Sequence, residues 1–403
     1  MNFNLRLVLV IVCFLCLVTS PKSLGKEIHP SQVGAAQLER YLPQLKNKSV
    51  GLIVNQTSMV KDQHLVDVLR KKNIDIKYIF APEHGFRGNK GAGEFVESGK
   101  DKKTGIPVVS IYGKSKRPPA FIMTQLDVVI FDIQDVGARF YTYISSMHYM
   151  MQAAALNNVE FIVLDRPNPN IQYIDGPILE DKFRSFVGMH PIPVLHGMTV
   201  GELARMIKGE NWLTIRAPKG TQNKEVFEKL KLTVVPVSDY KRSDFYSLPV
   251  PPSPNLPNDR AIQLYAALCF FEATPISIGR GTDFPFQVIG HDKVFTGDFN
   301  FTPVKKPYAA PYPKFENIMA TGVDLRQSNI HGLDLTLFYS WYSTFKQQKT
   351  KFFERENFMD KLAGTDKLRL AMEAGLPLKQ IVHSWQPDLD RFEKQRSPYL
   401  LYK

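Results

Sequence analysis

Apolar and polar positions along the first half of the chain fall into blocks that predict strands and helices in turn. Ser49 to Val54 is a short apolar run, the pattern of a strand buried on both faces. Gln63 to Lys72 carries Leu65, Val68 and Leu69 at helical spacing. Further strands are predicted at Ile76 to Phe80, Val108 to Ile111, Asp127 to Phe131 and Val159 to Leu164. Tyr141 to Asn157 reads as a helix with Ile144, Met147, Met151 and Ala155 on one face. Thr199 to Lys208 reads as a helix with a capping box, since Glu202 stands three residues after Thr199. Strands alternating with helices of this length predict an α/β fold built on a parallel, doubly wound, Rossmann-like sheet.

After about residue 240 the pattern changes. Leu248 to Pro257 holds too many prolines for a regular helix or a central strand, because proline lacks a donor and fixes φ. A helix follows at Asp259 to Phe271. Proline-broken extended runs come next, then helices near Tyr339–Lys349 and Asp366–Ala374, the latter with Thr365 as cap and Gly375 as stop. The expected division is a Rossmann-like catalytic domain over 26–289 and a smaller α+β domain over 290–403. No tandem repeat or low-complexity tract interrupts it.

The 403 residues, 44% hydrophobic and 22% charged, have ordinary globular composition, enough for one large domain or two medium ones. The first 25 are different. Arg6, the apolar run Leu7 to Val18 and the small residues after it predict a secretory signal cleaved after Gly25, hence a periplasmic or extracellular protein, with an uncleaved N-terminal anchor as the plainer alternative. Cys13 and Cys16 would leave with it, and Cys269 alone cannot form an internal disulfide, so a core must supply the stability. The formal charge is +12, and losing Arg6 and Lys22 leaves +10. An exported basic protein is not expected to meet nucleic acid. Its field suits an anionic polymer such as a bacterial wall, with an ordinary solvated lysine surface as the plain alternative.

In an open parallel sheet, ligands bind beyond the carboxyl ends of the strands. Here those ends are rich in polar groups. Glu83, His84 and Arg87 follow the second strand, and Asp132, Asp135, Arg139, Tyr141 and Tyr143 follow the fourth. Asp165, Arg166 and Asn168 follow the fifth, and His196 follows the later apolar run Ile192 to Leu195. Glu83 with Asp132 or Asp135 supplies the two carboxylates that glycoside hydrolysis typically needs. One of the aspartates is also open to a plainer role, as a salt bridge to Arg139 or a cap of the following helix. Arg139 and Arg166 suit an anionic group, which a guanidinium meets bidentately. His84 and Arg87 suit a carboxylate or a sugar hydroxyl, and His196 suits polar lining or support. Farther on, Glu272 and Arg280 flank an apolar run, as a sugar contact or as an ion pair fixing a turn.

The glycine-rich stretch Gly85, Gly88, Gly91 and Gly93 is neither G-x-G-x-x-G nor a P-loop, so no nucleotide cofactor is expected; a mobile loop over a ligand is. No G-x-S-x-G elbow or H-E-x-x-H motif occurs, and the nine histidines are scattered, so no metal or other cofactor is expected.

Six ordered motifs carry a resemblance: Pro82 to Gly88, Phe131 to Tyr143, Leu164 to Pro169, His196 to Thr199, Pro252 to Asn255 and Gly279 to Thr282. From about residue 45 onward the chain resembles the NamZ-type exo-β-N-acetylmuramidases of bacterial cell-wall turnover. The resemblance implies an active-site cleft between the two domains and release of N-acetylmuramic acid from the non-reducing ends of peptidoglycan fragments. Glu83 matches the family's proposed catalytic glutamate, as general acid. Asp132 and Asp135 match other acidic positions, and which of them acts stays open. The expected binding set is His84, Arg87, Arg139, Tyr141, Tyr143, Asp165, Arg166, Asn168, His196, Asn255, Glu272 and Arg280. Glu272-Ala273-Thr274-Pro275 departs from the expected Glu-Gly-Thr-Asn. Another wall hydrolase, an amidase or esterase, and a non-catalytic wall-binding protein are the rival readings. The oligomeric state is left open.

Overall fold

A computed structural model describes residues 25–87, 94, 96–221 and 224–403. The expected signal over 1–25 lies outside the described residues but for its last position, and so do Gly88, Gly91 and Gly93 of the glycine-rich loop.

The main sheet has seven strands: β1 (Ser49–Val54), β2 (Asp75–Ala81), β3 (Gly99–Lys100), β4 (Pro107–Ser110), β5 (Val128–Asp132), β6 (Glu160–Leu164) and β7 (Leu232–Val235). Their order is β7-β6-β5-β1-β2-β4-β3, parallel throughout except for the short edge strand β3. Without β3 this is the doubly wound Rossmann order, with its switch point between β1 and β5.

The unbroken apolar runs arise because both faces of the sheet are covered. Along β5, Val129 and Phe131 enter one core and Val128 and Ile130 the other; along β6, Phe161 and Val163 divide from Ile162 and Leu164 in the same way. The helices α1 (Leu38–Leu45) and α2 (Leu65–Lys71) cover the second core, and α3 (Tyr143–Leu156) and α4 (Val200–Gly209) the first. The capping box of α4 forms as expected: Thr199 Oγ1 accepts from the Glu202 N–H at 3.2 Å, and Glu202 Oε2 accepts from the Thr199 N–H at 3.0 Å. The run Ile192 to Leu195 is not a strand of the main sheet. Pro191 precedes it and Pro193 interrupts it, and only Leu195–His196 pairs, antiparallel with Ile174–Asp175.

The C-terminal part follows α5 (Asp259–Leu268). It holds a three-stranded antiparallel sheet, β8 (Val288–His291), β9 (Phe299–Phe301) and β10 (Ala320–Asp324), in the order β8-β10-β9. The helices α6 (Thr336–Gln347), α7 (Glu356–Ala363) and α8 (Lys367–Glu373) come next. Phe338, Trp341 and Phe345 of α6 pack with Phe271, Phe352 and Phe353 in a core continuous with that of the main sheet. The helix expected from Thr365 starts one residue later, with the Lys367 N–H donating to Thr365 Oγ1 at 3.2 Å.

Arg139 ties the two parts together. It was expected to meet a substrate carboxylate or an aspartate; the structure instead buries it completely. Nη1 donates to the carbonyls of Pro177 (2.7 Å) and Ile192 (2.6 Å), and Nη2 to those of Leu362 (3.1 Å) and Ala363 (2.6 Å). The last two carbonyls end α7, where the helix dipole favours a cation. Gly364 closes that helix at φ +76°, and a Cβ there would lie 2.5 Å from Arg139 Nη2. Burial pushes the guanidinium pKa down to about 9. Replacing Arg139 with Met orphans four carbonyls and is expected to lower unfolding stability in urea by about 3 kcal/mol. Arg139→Lys is expected to recover only part of it, since an ammonium cannot reproduce the planar fork.

Candidate active site

The turn after β2 sets Glu83. Gly85 N–H donates to the Pro82 carbonyl at 3.0 Å, and His84 and Gly85 both take positive φ (+67° and +76°), which turns the chain back beside the strand end. Glu83 and His84 then enter the wall of a cavity of about 170 Å³. Tyr141, Thr142 and Tyr143, at the start of α3, form a second wall, and Asn255, Tyr265, Glu272, Arg280 and Phe286 a third. The sequence-expected residues Glu83, His84, Tyr141, Tyr143, Asn255, Glu272 and Arg280 thus meet around one space.

Both carboxylate oxygens of Glu83 are held. Tyr112 donates its hydroxyl to Oε1 at 2.9 Å, and Thr142 donates Oγ1–H to Oε2. The Tyr112 hydroxyl is pushed above its usual pKa by burial and by the Glu83 charge, so it remains a donor. Tyr141 and Tyr143 do not offer their hydroxyls to the cavity. Both donate to the Pro252 carbonyl (2.8 and 3.3 Å) and so pin the proline-rich segment that carries Asn255. Asn255 Nδ2 donates to the Ala309 carbonyl at 2.7 Å, while its Oδ1 is buried without a hydrogen-bond partner among the described residues.

Glu272 is the second carboxylate in the wall. Arg280 Nε donates to its Oε1 at 2.7 Å, which realises the ion pair considered from the sequence and places it in the cavity. Burial alone would raise the Glu272 pKa, but the charges of Arg280 and Lys314 outweigh it and hold it below the usual value.

The remaining sequence candidates lie elsewhere. Asp132 is fully buried and clamps Arg166 through two bonds, 2.6 and 3.0 Å long, so each neutralises the other inside the core. Asp165 accepts from the Arg166 and Gly201 N–H groups, from Thr199 and from Tyr402; burial pushes its pKa up to about 7 against the pull of those donors. Asn168 bridges the Met198 carbonyl and the Asn170 N–H. Its side chain also explains Gly137: at φ +77°, a Cβ there would fall 2.2 Å from Asn168 Oδ1. Arg87 grips Asp101 at 2.9 and 3.0 Å, outside the cavity. His196 is buried, and its pKa is pushed down to about 3 by burial and by Arg396, Arg139 and Arg242. Tyr112, which follows the third predicted strand, and Thr142, within the Phe131–Tyr143 motif and directly before a helix, lie outside the expected site set. Among the described residues, no cluster of His, Cys, Asp and Glu is arranged to hold a metal ion.

Asp135 is buried near Tyr141 and Tyr143, and its negative charge adds to burial in raising both hydroxyls. Its Oδ2 accepts from the Gly137 N–H at 2.7 Å, its Oδ1 has no partner among the described residues, and His196 Nε2 is 4.0 Å away. Burial pushes the Asp135 pKa up to about 7. The folded protein therefore keeps a proton that the unfolded chain releases near pH 4. The resulting stability is full below the unfolded value and is lost as pH rises toward about 7. Asp135→Asn is expected to flatten that decline, by at most about 1.4 kcal/mol per pH unit in urea unfolding between about pH 4.5 and 6.5. An unchanged slope contradicts the assignment.

The family descriptions "Exo-beta-N-acetylmuramidase NamZ, N-terminal" and "Exo-beta-N-acetylmuramidase NamZ, C-terminal" match residues 50–260 and 263–402. The peptidoglycan β-N-acetylmuramidase NamZ of Bacillus subtilis (strain 168) is 38% identical over 388 residues, covering 91% of this chain and 89% of that protein. Two crystal structures of DUF1343 family proteins from Bacteroides fragilis NCTC 9343 are also similar. One has a TM-score of 0.80 at 42% identity and the other 0.76 at 29%, each covering 92% of this chain and 98% of its own. With both halves matched in order, the chain belongs to the NamZ exo-β-N-acetylmuramidase family.

Proposed function

We propose that the protein is an exo-acting glycoside hydrolase that releases N-acetylmuramic acid from the non-reducing ends of peptidoglycan fragments. The observation that carries this reading is Glu83, held by Tyr112 and Thr142 in a small cavity that also contains the Glu272–Arg280 pair. Glycoside hydrolysis typically uses two carboxyl groups, one to protonate the leaving oxygen and one to attack or to activate water. Glu83 takes the first role: its proton passes to the glycosidic oxygen as the bond to the anomeric carbon breaks. Glu272 takes the second, as the other carboxylate in the wall, in place of Asp132 and Asp135, which lie away from it. Water completes the balance, its hydroxyl joining the anomeric carbon and its remaining proton returning to the carboxylates.

Phe140, Tyr265 and Phe286 supply an apolar wall for a sugar ring, and Asn255 Oδ1 an acceptor for a hydroxyl or N-acetyl N–H. A cavity of about 170 Å³ suits the end of a chain better than its middle. Export through the Arg6 to Gly25 segment would bring the basic protein to its wall substrate, in the periplasm or outside the cell.

Glu83→Gln is expected to abolish release of muramic acid from a muramic acid–glucosamine disaccharide while near-UV circular dichroism stays unchanged; near-wild-type turnover sinks the reading. Glu272→Gln should lower kcat by about 100-fold or more, while Asp135→Asn should cost less than about tenfold at neutral pH. The reverse ranking returns Asp135 to the chemistry. Release of peptide or acyl groups instead of free sugar would favour an amidase or esterase.

A further inference from the structure

Muramic acid differs from the glucosamine residues of the same glycan by a lactyl ether that ends in a carboxylate. The sequence offered arginines to read that charge, but each one is committed. Arg139 holds four carbonyls and Arg166 holds Asp132. Arg87 holds Asp101, and Arg280 holds Glu272.

Lys116 is differently placed. Its ammonium lies over the ring of Tyr112, 4.1 Å from the centroid, and over that of Phe186, 3.9 Å away. Among the described residues it forms no ion pair, and the carboxylate it feels most is that of Glu83, whose charge opposes the lowering of its pKa by burial. Both rings bear on the site. Tyr112 is the donor to Glu83, and Phe186 directly precedes Val187, which lines the cavity. The rings are themselves supported. Tyr149 stacks on Phe186, with 6.3 Å between centroids and 15° between planes, and Arg117 lies 4.7 Å over Tyr149 while its guanidinium is fixed to Gln152 Oε1 at 2.9 and 2.6 Å. Ring faces strip water from an ammonium without neutralising it. A lysine is also a compact charge with rotatable donors, able to follow a flexible lactyl group.

We propose that Lys116 is the receptor for the lactyl carboxylate and sets the preference for muramic acid over glucosamine residues. This rests on the muramidase reading of the Glu83 cavity and adds the group that selects its substrate.

The test is calorimetric binding of N-acetylmuramic acid and of its lactyl methyl ester to the full chain. Wild type should bind the free acid at least about tenfold more tightly than the ester, the size of one charge-assisted contact. Lys116→Met should abolish that gap and leave ester affinity unchanged, while Lys116→Arg, which keeps the charge, should retain most of it. A gap that survives in Lys116→Met, or no gap in wild type, overturns the proposal. Should wild type show the gap yet release no muramic acid from the disaccharide, the muramidase reading fails while the carboxylate receptor stands.

Discussion

A guanidinium buried without a carboxylate partner is costly, and Arg139 is held there by four backbone carbonyls. Two come from the loops around Pro177 and Ile192 and two from the end of α7, so one side chain joins the segment after β5 to the C-terminal helices. The residues immediately after it, Phe140 to Tyr143, line the cavity, and so do Phe358 and Leu362 of the helix it caps. This contact fastens the segments that carry those two walls to each other. A family of carbonyls that only a planar fork can satisfy makes the cleft a fixed space.

Other buried charges serve the frame in the same way. Asp132 and Arg166 neutralise each other beneath the switch point, where many Rossmann-like proteins admit a ligand. Asp165 gathers the start of α4 and the chain end through Thr199, Gly201 and Tyr402, and Glu202 accepts from the Leu401 N–H at 2.8 Å. With the Asp132–Arg166 pair at the switch point, the site shifts to the β2 end, where Glu83 meets Thr142 just before α3. Burial raises Asp135 and Asp165, whereas cations hold Glu272 down. That contrast separates carboxyls that support the fold from one suited to stay charged.

The fold was largely legible because the central strands carry apolar runs that end in a change of residue type, as at Phe131-Asp132 and Phe80-Ala81-Pro82. β7 was not, being a four-residue edge strand preceded by a lysine and only partly buried. The rim was legible in part: Glu83 and His84 after β2 and Tyr141 and Tyr143 after β5 line the cavity, whereas Arg87, Asp135 and Arg139 do not. What sequence could not separate is direction. Asp132 and Glu83 are both carboxylates at strand ends, but one points into the core toward Arg166 and the other into a cavity. Arg139 and Arg166 suit an anionic ligand by sequence, but packing encloses one in carbonyls and clamps the other to Asp132. Glu272 and Arg280 form the ion pair their spacing allows, yet only the fold brings that pair into the same cavity as Glu83. Lys116 lies in none of the six motifs and Thr142 lies in one without a role of its own, so their roles follow from three-dimensional neighbours.

The central claim is that the Glu83 cavity is where the glycosidic bond is broken. A crystal structure of the Glu83→Gln protein soaked with the muramic acid–glucosamine disaccharide tests it most directly. The account predicts the muramic acid ring enclosed between Tyr141, Asn255 and Phe286, with the glycosidic oxygen within about 2.6–3.2 Å of the side chain at position 83. A disaccharide bound elsewhere, or bound with that oxygen turned away from position 83, contradicts it.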